Sequence, residues 1–211
     1  MIKVLLVEDD PMARQLLEIY IERNEQYELA GSLETALIAE AFCQKHHVDV
    51  ILMDVCTAMN SNGIDAAWDI KKHLPDIKII IITSQPECSY IDRARAAGVD
   101  SFWYKSSTSE EIISLIDRTI AGESIYPEST PQLKLGDAWS EELSERELEV
   151  LRLVVAGKTD AEIADKLCIS VATVKSHVQH MKNRTGFRNR TELAVRARES
   201  GLVIFDQKPE E

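Results

Sequence analysis

Five residues far apart in the chain, Glu8, Asp9, Asp54, Thr83 and Lys105, stand where predicted buried strands run out. The runs that end in them are IKVLLVED, VDVILMD, IKIIIIT and VDSFWYK. In an open parallel sheet the carboxyl ends of the strands share one crevice, and ligands bind there. Three carboxylates gathered in it repel one another unless a cation joins them. Their hard oxygens suit Mg2+, which keeps several waters and takes few protein carboxylates. A hydroxyl and an ammonium beside them complete a pocket for a phosphoryl group on a carboxylate, with Asp54 as the acceptor. Asp9 is the expected direct metal ligand, Glu8 lies nearer the rim and acts through water, and the Cys56 backbone carbonyl completes the set. Thr83 would donate to one phosphoryl oxygen and Lys105 would pair with another. Taken singly, each reads as a cap or a solvated charge, and Asp10 is assigned that role. It is five in register that point to chemistry.

The elements that must bring them together are legible over the first 122 residues, where strand and helix signals alternate about five times. Asp10-Pro11 starts a helix that runs to about Arg23. A strand near Tyr27–Gly31 precedes a helix near Leu33–His46, with Ala36, Leu37, Ala39, Ala41 and Phe42 as its apolar surface. A helix from about Ile64 stops at Pro75, another ends at Gly98, and Ser107-x-x-Glu110 opens one that runs to Gly122. Apolar strands separated by helices predict a doubly wound, five-stranded parallel sheet in flavodoxin-like order.

Residues 123–142 lose this pattern and read as a linker in which Ile125, Tyr126, Leu133, Leu135 and Trp139 could dock on either side. Residues 143–204 are all helical, followed by a tail at 205–211. Ser144-x-x-Glu147, Thr159-x-x-Glu162, Ser170 and Asn189-x-x-Glu192 open four helices, a smaller all-α helix-turn-helix domain.

Composition bounds the partners. The 211 residues carry a net charge of −12, yet the segment Cys168–Arg198 has seven Lys and Arg against Glu192 alone. A local basic stripe is what phosphate contacts require. In the third of the four helices Val171, Val174, Val178 and Met181 form one apolar face. Ala172, Ser176, Gln179 and Asn183 lie opposite, with Lys175 on the flank, a surface able to enter a major groove. Arg184, Arg188 and Arg190, at its far end and beyond, suit phosphates. His177 and His180 are three apart, but no third metal ligand is evident. The N-terminus is not a signal peptide, and no apolar stretch approaches the roughly 20 residues that span a bilayer. Cys43, Cys56, Cys88 and Cys168 show no C-x-x-C spacing, so reduced thiols in a cytoplasmic protein are expected.

Through VEDD, LMDV, IITS and the Lys105 that ends VDSFWYK, residues 2–122 resemble the receiver domain of bacterial two-component response regulators. LSERELEVLRLVVAGKTDAEIADKL and ISVATVKSHVQHMKNRTGFRNRTELAVRA make residues 143–202 resemble the LuxR/GerE-type DNA-binding domain. Together they look like the NarL/FixJ class. The resemblance implies Mg2+ at Glu8, Asp9 and Asp54, phosphoryl stabilisation by Thr83 and Lys105, and a sensor histidine kinase as donor. Phe102 stands where an aromatic switch residue changes rotamer, and without a hydroxyl its inward state would rest on burial. Base contacts are implied for Lys175, Ser176 and Gln179, and phosphate contacts for Thr173, His177, Lys182 and Arg190. Gln179 stands where Lys is frequent, which shifts preference toward adenine. A dimer contact is implied for Leu193, Ala194 and Ala197. Phosphorylation would unmask the reading helix and favour a homodimer on paired DNA half-sites.

Two departures qualify the match. Asp54 is followed by VCTAMNSNG, without the usual Pro and with Gly63 nine residues on, so the loop beside the phosphate is expected to be longer and less rigid. Ser106 follows Lys105 in place of Pro or Asp. No enzymatic turnover is expected, although the acidic cluster also permits a metal-dependent phosphatase or phosphotransferase acting on small molecules. The altered loop also leaves room for a receiver regulated without phosphorylation.

Overall fold

The computed structural model describes residues 1–87, 89–105 and 109–203. The Ser107–Glu110 capping pattern, Ser106, Cys88 and the tail at 205–211 lie outside the described residues or side chains. The chain divides into two compact units, one of residues 1–85 and 89–129 and the other of the remainder, so that the main boundary falls between 129 and 130, inside the expected linker.

The first unit is built on five parallel strands: β1 (Ile2–Val7), β2 (Tyr27–Leu33), β3 (Val50–Met53), β4 (Lys78–Thr83) and β5 (Ser101–Tyr104). Their order is β2-β1-β3-β4-β5, the expected doubly wound arrangement. Between them run α1 (Pro11–Glu22), α2 (Ala39–Lys45), α3 (Gly63–His73) and α4 (Tyr90–Ala96), and α5 (Ser109–Ile120) follows β5. Strand alternation sends Val4, Leu6, Val50, Leu52, Ile80 and Ile82 to one face, where α1 contributes Leu17 and Ile21 and α5 contributes Ile112, Leu115 and Ile116. Asp10 caps α1 as expected, accepting from the Met12 and Ala13 amides.

One helix differs from expectation. β2 continues to Leu33, a 3-10 turn fills Ala36–Ile38, and α2 begins only at Ala39. Leu37 and Ala41 are exposed. The Thr35 hydroxyl accepts from the Leu37 amide and so starts a tight turn in place of an α-helix. The beginning of the expected linker also belongs to the first unit. The Ile125 carbonyl accepts from the Phe102 amide at 2.8 Å, and the Tyr126 hydroxyl donates to the Val99 carbonyl at 2.8 Å. Leu133 and Leu135 instead pack in the second unit.

That unit holds α6 (Glu145–Val155), α7 (Asp160–Leu167), α8 (Val171–Thr185) and α9 (Arg190–Glu199). Ser144 and Thr159 form reciprocal capping boxes with Glu147 and Glu162, and Ser170 and Asn189 cap the other two helices. Cys168, in left-handed conformation at φ 53°, ends α7 and turns the chain into α8. Among the described residues no helix is long and apolar enough to cross a membrane.

Candidate phosphoacceptor pocket and DNA-reading helix

Register alone gathers the five residues. Val7 pairs with Met53, Met53 with Ile81 and Ile81 with Phe102, while Thr83 lies level with Tyr104. Glu8, Asp54 and Lys105 are each the next residue along, and their amides extend the ladders to the Leu33, Val7 and Thr83 carbonyls. At this rim Lys105 Nζ stands 2.6 Å from Asp54 Oδ2 and 2.5 Å from Glu8 Oε2. Glu8, Asp9 and Asp54 each offer an oxygen within 4.8 Å of the others. Asp54 Oδ1 accepts from the Val55 amide at 2.6 Å, which fixes the carboxylate.

Three carboxylates face one ammonium, and the titration behaviour reflects that deficit. Burial pushes the Glu8 carboxyl above its ordinary range, helped by the Asp54 charge and opposed by Lys105. Asp9 is raised for the same two reasons, first the partial desolvation its carboxylate undergoes at the crowded rim although the residue as a whole is exposed, and then the Asp54 charge. Burial alone would lower Lys105, but Asp54 and Glu8 outweigh it and hold its pKa up. Oxygen donors with excess negative charge fit a small hard divalent cation.

Glu8 and Asp9 exchange the places expected of them. Glu8 is 1 % exposed, with Oε1 accepting from the Asp10 amide at 3.2 Å, whereas Asp9 is exposed. The first residue past β1 still follows the strand, and the chain turns outward only after it. Thr83 is fully buried, and its Oγ1 accepts from the Gln85 amide at 3.1 Å, which leaves the hydroxyl proton to donate. Phe102 is fully buried, edge-on to Tyr104 and stacked at 6.3 Å on Tyr126.

The loop after Asp54 is not loose. Cys56–Thr57 pairs antiparallel with Ser61–Asn62, and Met59 and Asn60 turn the hairpin at φ 63° and 54°. Thr57 and Ser61 are buried and bond each other through their hydroxyls, and Ser61 Oγ lies 2.9 Å from Thr35 Oγ1. The Ala36 amide donates to both loop hydroxyls, at 3.0 and 3.1 Å. The extra residue is thus absorbed by a hydrogen-bonded hairpin. Gly63 closes it against Asp54: a Cβ there would stand 2.0 Å from the Asp54 carbonyl oxygen. Spacing had marked Gly63, whereas nothing in the sequence marked Thr35, Thr57 and Ser61 as partners. Arg14, which donates to the Glu8 carbonyl at 2.8 Å, was likewise unmarked.

On α8 the inward row is Val174, Val178, Met181 and Thr185; Val171, expected inside, is 39 % exposed at the first position of the helix. Thr173, Lys175, Ser176 and Gln179 are exposed, and His177 and Lys182 half-buried. Gln179 Nε2 donates to Asn183 Oδ1 at 2.8 Å, and Lys182 Nζ donates to Gln179 Oε1 at 3.3 Å. Two of the arginines assigned to phosphate serve the fold. Arg184 donates to the Glu142 carbonyl and to Glu147, and Arg190 binds Asp160 and the Lys158 carbonyl. Leu193 and Ala197 are fully buried in the unit's own core, with Ala194 packed beside them, so they are not a free dimer face. An isolated apolar stripe is the same signal whether it faces its own domain or a second copy.

Residues 4–117 match the response regulator receiver domain, and residues 141–197 match the bacterial regulatory proteins of the luxR family. The chain belongs to the response regulators. The regulator is 34% identical over 209 residues to the response regulator protein VraR of Staphylococcus aureus, and equally to VraR of Staphylococcus epidermidis, covering 96% of this chain and 99% of theirs. Its fold is that of RcsB from Salmonella enterica serovar Typhimurium bound to promoter rprA with phosphomimetic BeF3− (TM-score 0.60, 23% identity, 93% and 98% covered). It is also that of the response regulator ChrA of a heme-sensing two-component system (TM-score 0.52, 22% identity, 94% and 96% covered). With a receiver ahead of a LuxR-type domain, the regulator is a DNA-binding two-component transcription factor of the NarL/FixJ class.

Proposed function

We propose that the regulator is switched by transfer of a phosphoryl group from a sensor histidine kinase to Asp54. The observation that carries this reading is Lys105 bridging Asp54 and Glu8, with Asp9 close enough to share an ion. An Asp54 oxygen forms the new O–P bond as the donor's N–P bond breaks, and the departing imidazole keeps the electron pair and takes a proton from water. Lys105 would move with one phosphoryl oxygen and Thr83 donate to another. Glu8, Asp9, Asp54 and the Cys56 carbonyl would hold Mg2+. Bound there, Mg2+ offsets the charge that develops in transfer. Phe102 already lies inward, and its packing is what Thr83 would bias.

The output is binding of promoter DNA in the cytoplasm as a homodimer on paired half-sites; RcsB, which shares the fold, is bound to promoter rprA in the presence of a phosphomimetic. Lys175, Ser176 and Gln179 would read bases; Thr173, His177 and Lys182 would meet phosphates, and Arg190 would do so by giving up part of its hold on Asp160. A self-contact through α9 would use its exposed row, Thr191, Val195 and Arg198.

Mass spectrometry after incubation with a small phosphodonor and Mg2+ tests the reading. One phosphoryl group is expected on the native chain and none on Asp54→Ala; labelling that persists in the variant overturns the assignment. Beryllofluoride should move the monomer–dimer balance toward dimer.

A further inference from the structure

The hairpin after Asp54 contains two left-handed residues that are not glycine, Met59 and Asn60, a conformation that persists only when its surroundings enforce it. The enforcement is the hydroxyl cluster of Thr35, Thr57 and Ser61. Each hydroxyl carries one proton. Thr35 donates to Ser61 Oγ at 2.9 Å, Ser61 donates to the Ala58 carbonyl at 3.0 Å, and the Thr57 proton is shared between Ser61 Oγ and the Ser61 carbonyl, the latter at 3.1 Å. The Ala36 amide supplies the remaining donor, and the Ala58 amide closes the contact on the Glu34 carbonyl at 2.9 Å. All three side chains are at least nine-tenths buried. Such a network is fully satisfied, so it holds one geometry, and losing one member strands the others.

What the cluster holds is the backbone beside Asp54. Thr57 follows Cys56 directly, and Cys56 pairs with Asn62 while the Gly63 amide bonds the Val55 carbonyl at 2.8 Å. Residues 55 to 63 therefore form a closed ring whose two ends bear on Asp54. We propose that Thr35, Thr57 and Ser61 are positioning residues for the divalent ion, acting through the Cys56 peptide and the Asp54 backbone. This rests on the phosphoacceptor reading. None of the three is among the groups that would hold the ion; they brace the backbone that carries those groups, the role in which outer partners tune metal affinity.

The test is calorimetric titration of the full chain with MgCl2 alone, beside thermal melting. Thr57→Val and Ser61→Ala should each weaken Mg2+ binding about tenfold, whereas Thr57→Ser, which keeps the hydroxyl, should bind as the native chain does. Native affinity in a folded Thr57→Val or Ser61→Ala chain, with only the melting temperature lowered, overturns the proposal and leaves the cluster a fold element. Should Thr57→Val not fold, Thr35→Val breaks the same network from the other side and is held to the same outcomes. A native chain that binds no Mg2+ would instead overturn the phosphoacceptor reading itself.

Discussion

The acid pocket and the reading helix manage charge in opposite ways. In the pocket, Glu8 and Asp54 are buried, hydrogen-bonded and short of positive charge. On α8, Lys175, Ser176 and Gln179 stand in solvent, and the charges that are fixed nearby, Arg184 at its end and Arg190 at the start of α9, are fixed by their own domain. The first region stores an imbalance that a bound cation would relieve, so its geometry must pre-exist. The second, in the proposed function, would meet a polyanion whose counterions leave on binding, so its charges need not be fixed before contact. Substitutions should therefore act on stability and ligand together in the pocket, and on DNA alone along the helix.

The largest effect is expected at Gly63. Gly63→Ala forces a Cβ onto the Asp54 carbonyl and should cost about 3 kcal/mol in urea unfolding, with loss of phosphoryl uptake. Equal stability would mean the ring around Asp54 is slack. At Gln179 the change should be in recognition: Gln179→Ala should lose about 1–3 kcal/mol of discrimination at one base position, read by binding to a set of single-base operator variants, with unfolding unchanged. Lys182→Ala should instead weaken all sequences alike and reduce the salt slope by about 1.

A pH series sharpens the contrast further. Glu8 and Asp9 have raised folded pKa values, so the folded state holds their protons longer than the unfolded one. Their contribution to stability is then lost as pH rises from the ordinary carboxylate range through the raised values. The native chain should fall in stability relative to Glu8→Gln across that window, and Mg2+ should remove the difference. A flat difference would show that Lys105 alone balances the pocket. The smallest effect is expected at Cys168, whose φ of 53° is costly for any residue with a Cβ: Cys168→Gly should stabilise the second unit by about 1 kcal/mol.

The sheet, its order and the gathering of the five pocket residues at one rim were legible because strand ends follow from apolar runs, and apolar runs follow from burial. Glu8 was misplaced because the period of a strand does not say on which residue the chain turns away. Arg184 and Leu193 were misread for a related reason. An arginine at a helix end and a leucine on a helix face carry no mark of whether their partner is Glu147 and the core, or DNA and a second subunit. The Thr35–Thr57–Ser61 cluster was illegible because hydroxyls separated by 22 and 26 residues leave no periodic trace, and only the folded backbone brings them together.

The segment that leaves α5 has a consequence for assembly. Ile125 bonds the Phe102 amide, its own amide bonds Ser101 Oγ at 3.1 Å, and Ser124 Oγ donates to the Asp100 carbonyl at 2.9 Å. The outer margin of β5 is thereby occupied by the protein's own main chain, which denies an incoming strand the donors and acceptors it would need. A second copy meeting the regulator on that side finds the Phe102 amide and the Asp100 carbonyl already taken, so a strand laid there does not continue the sheet from molecule to molecule.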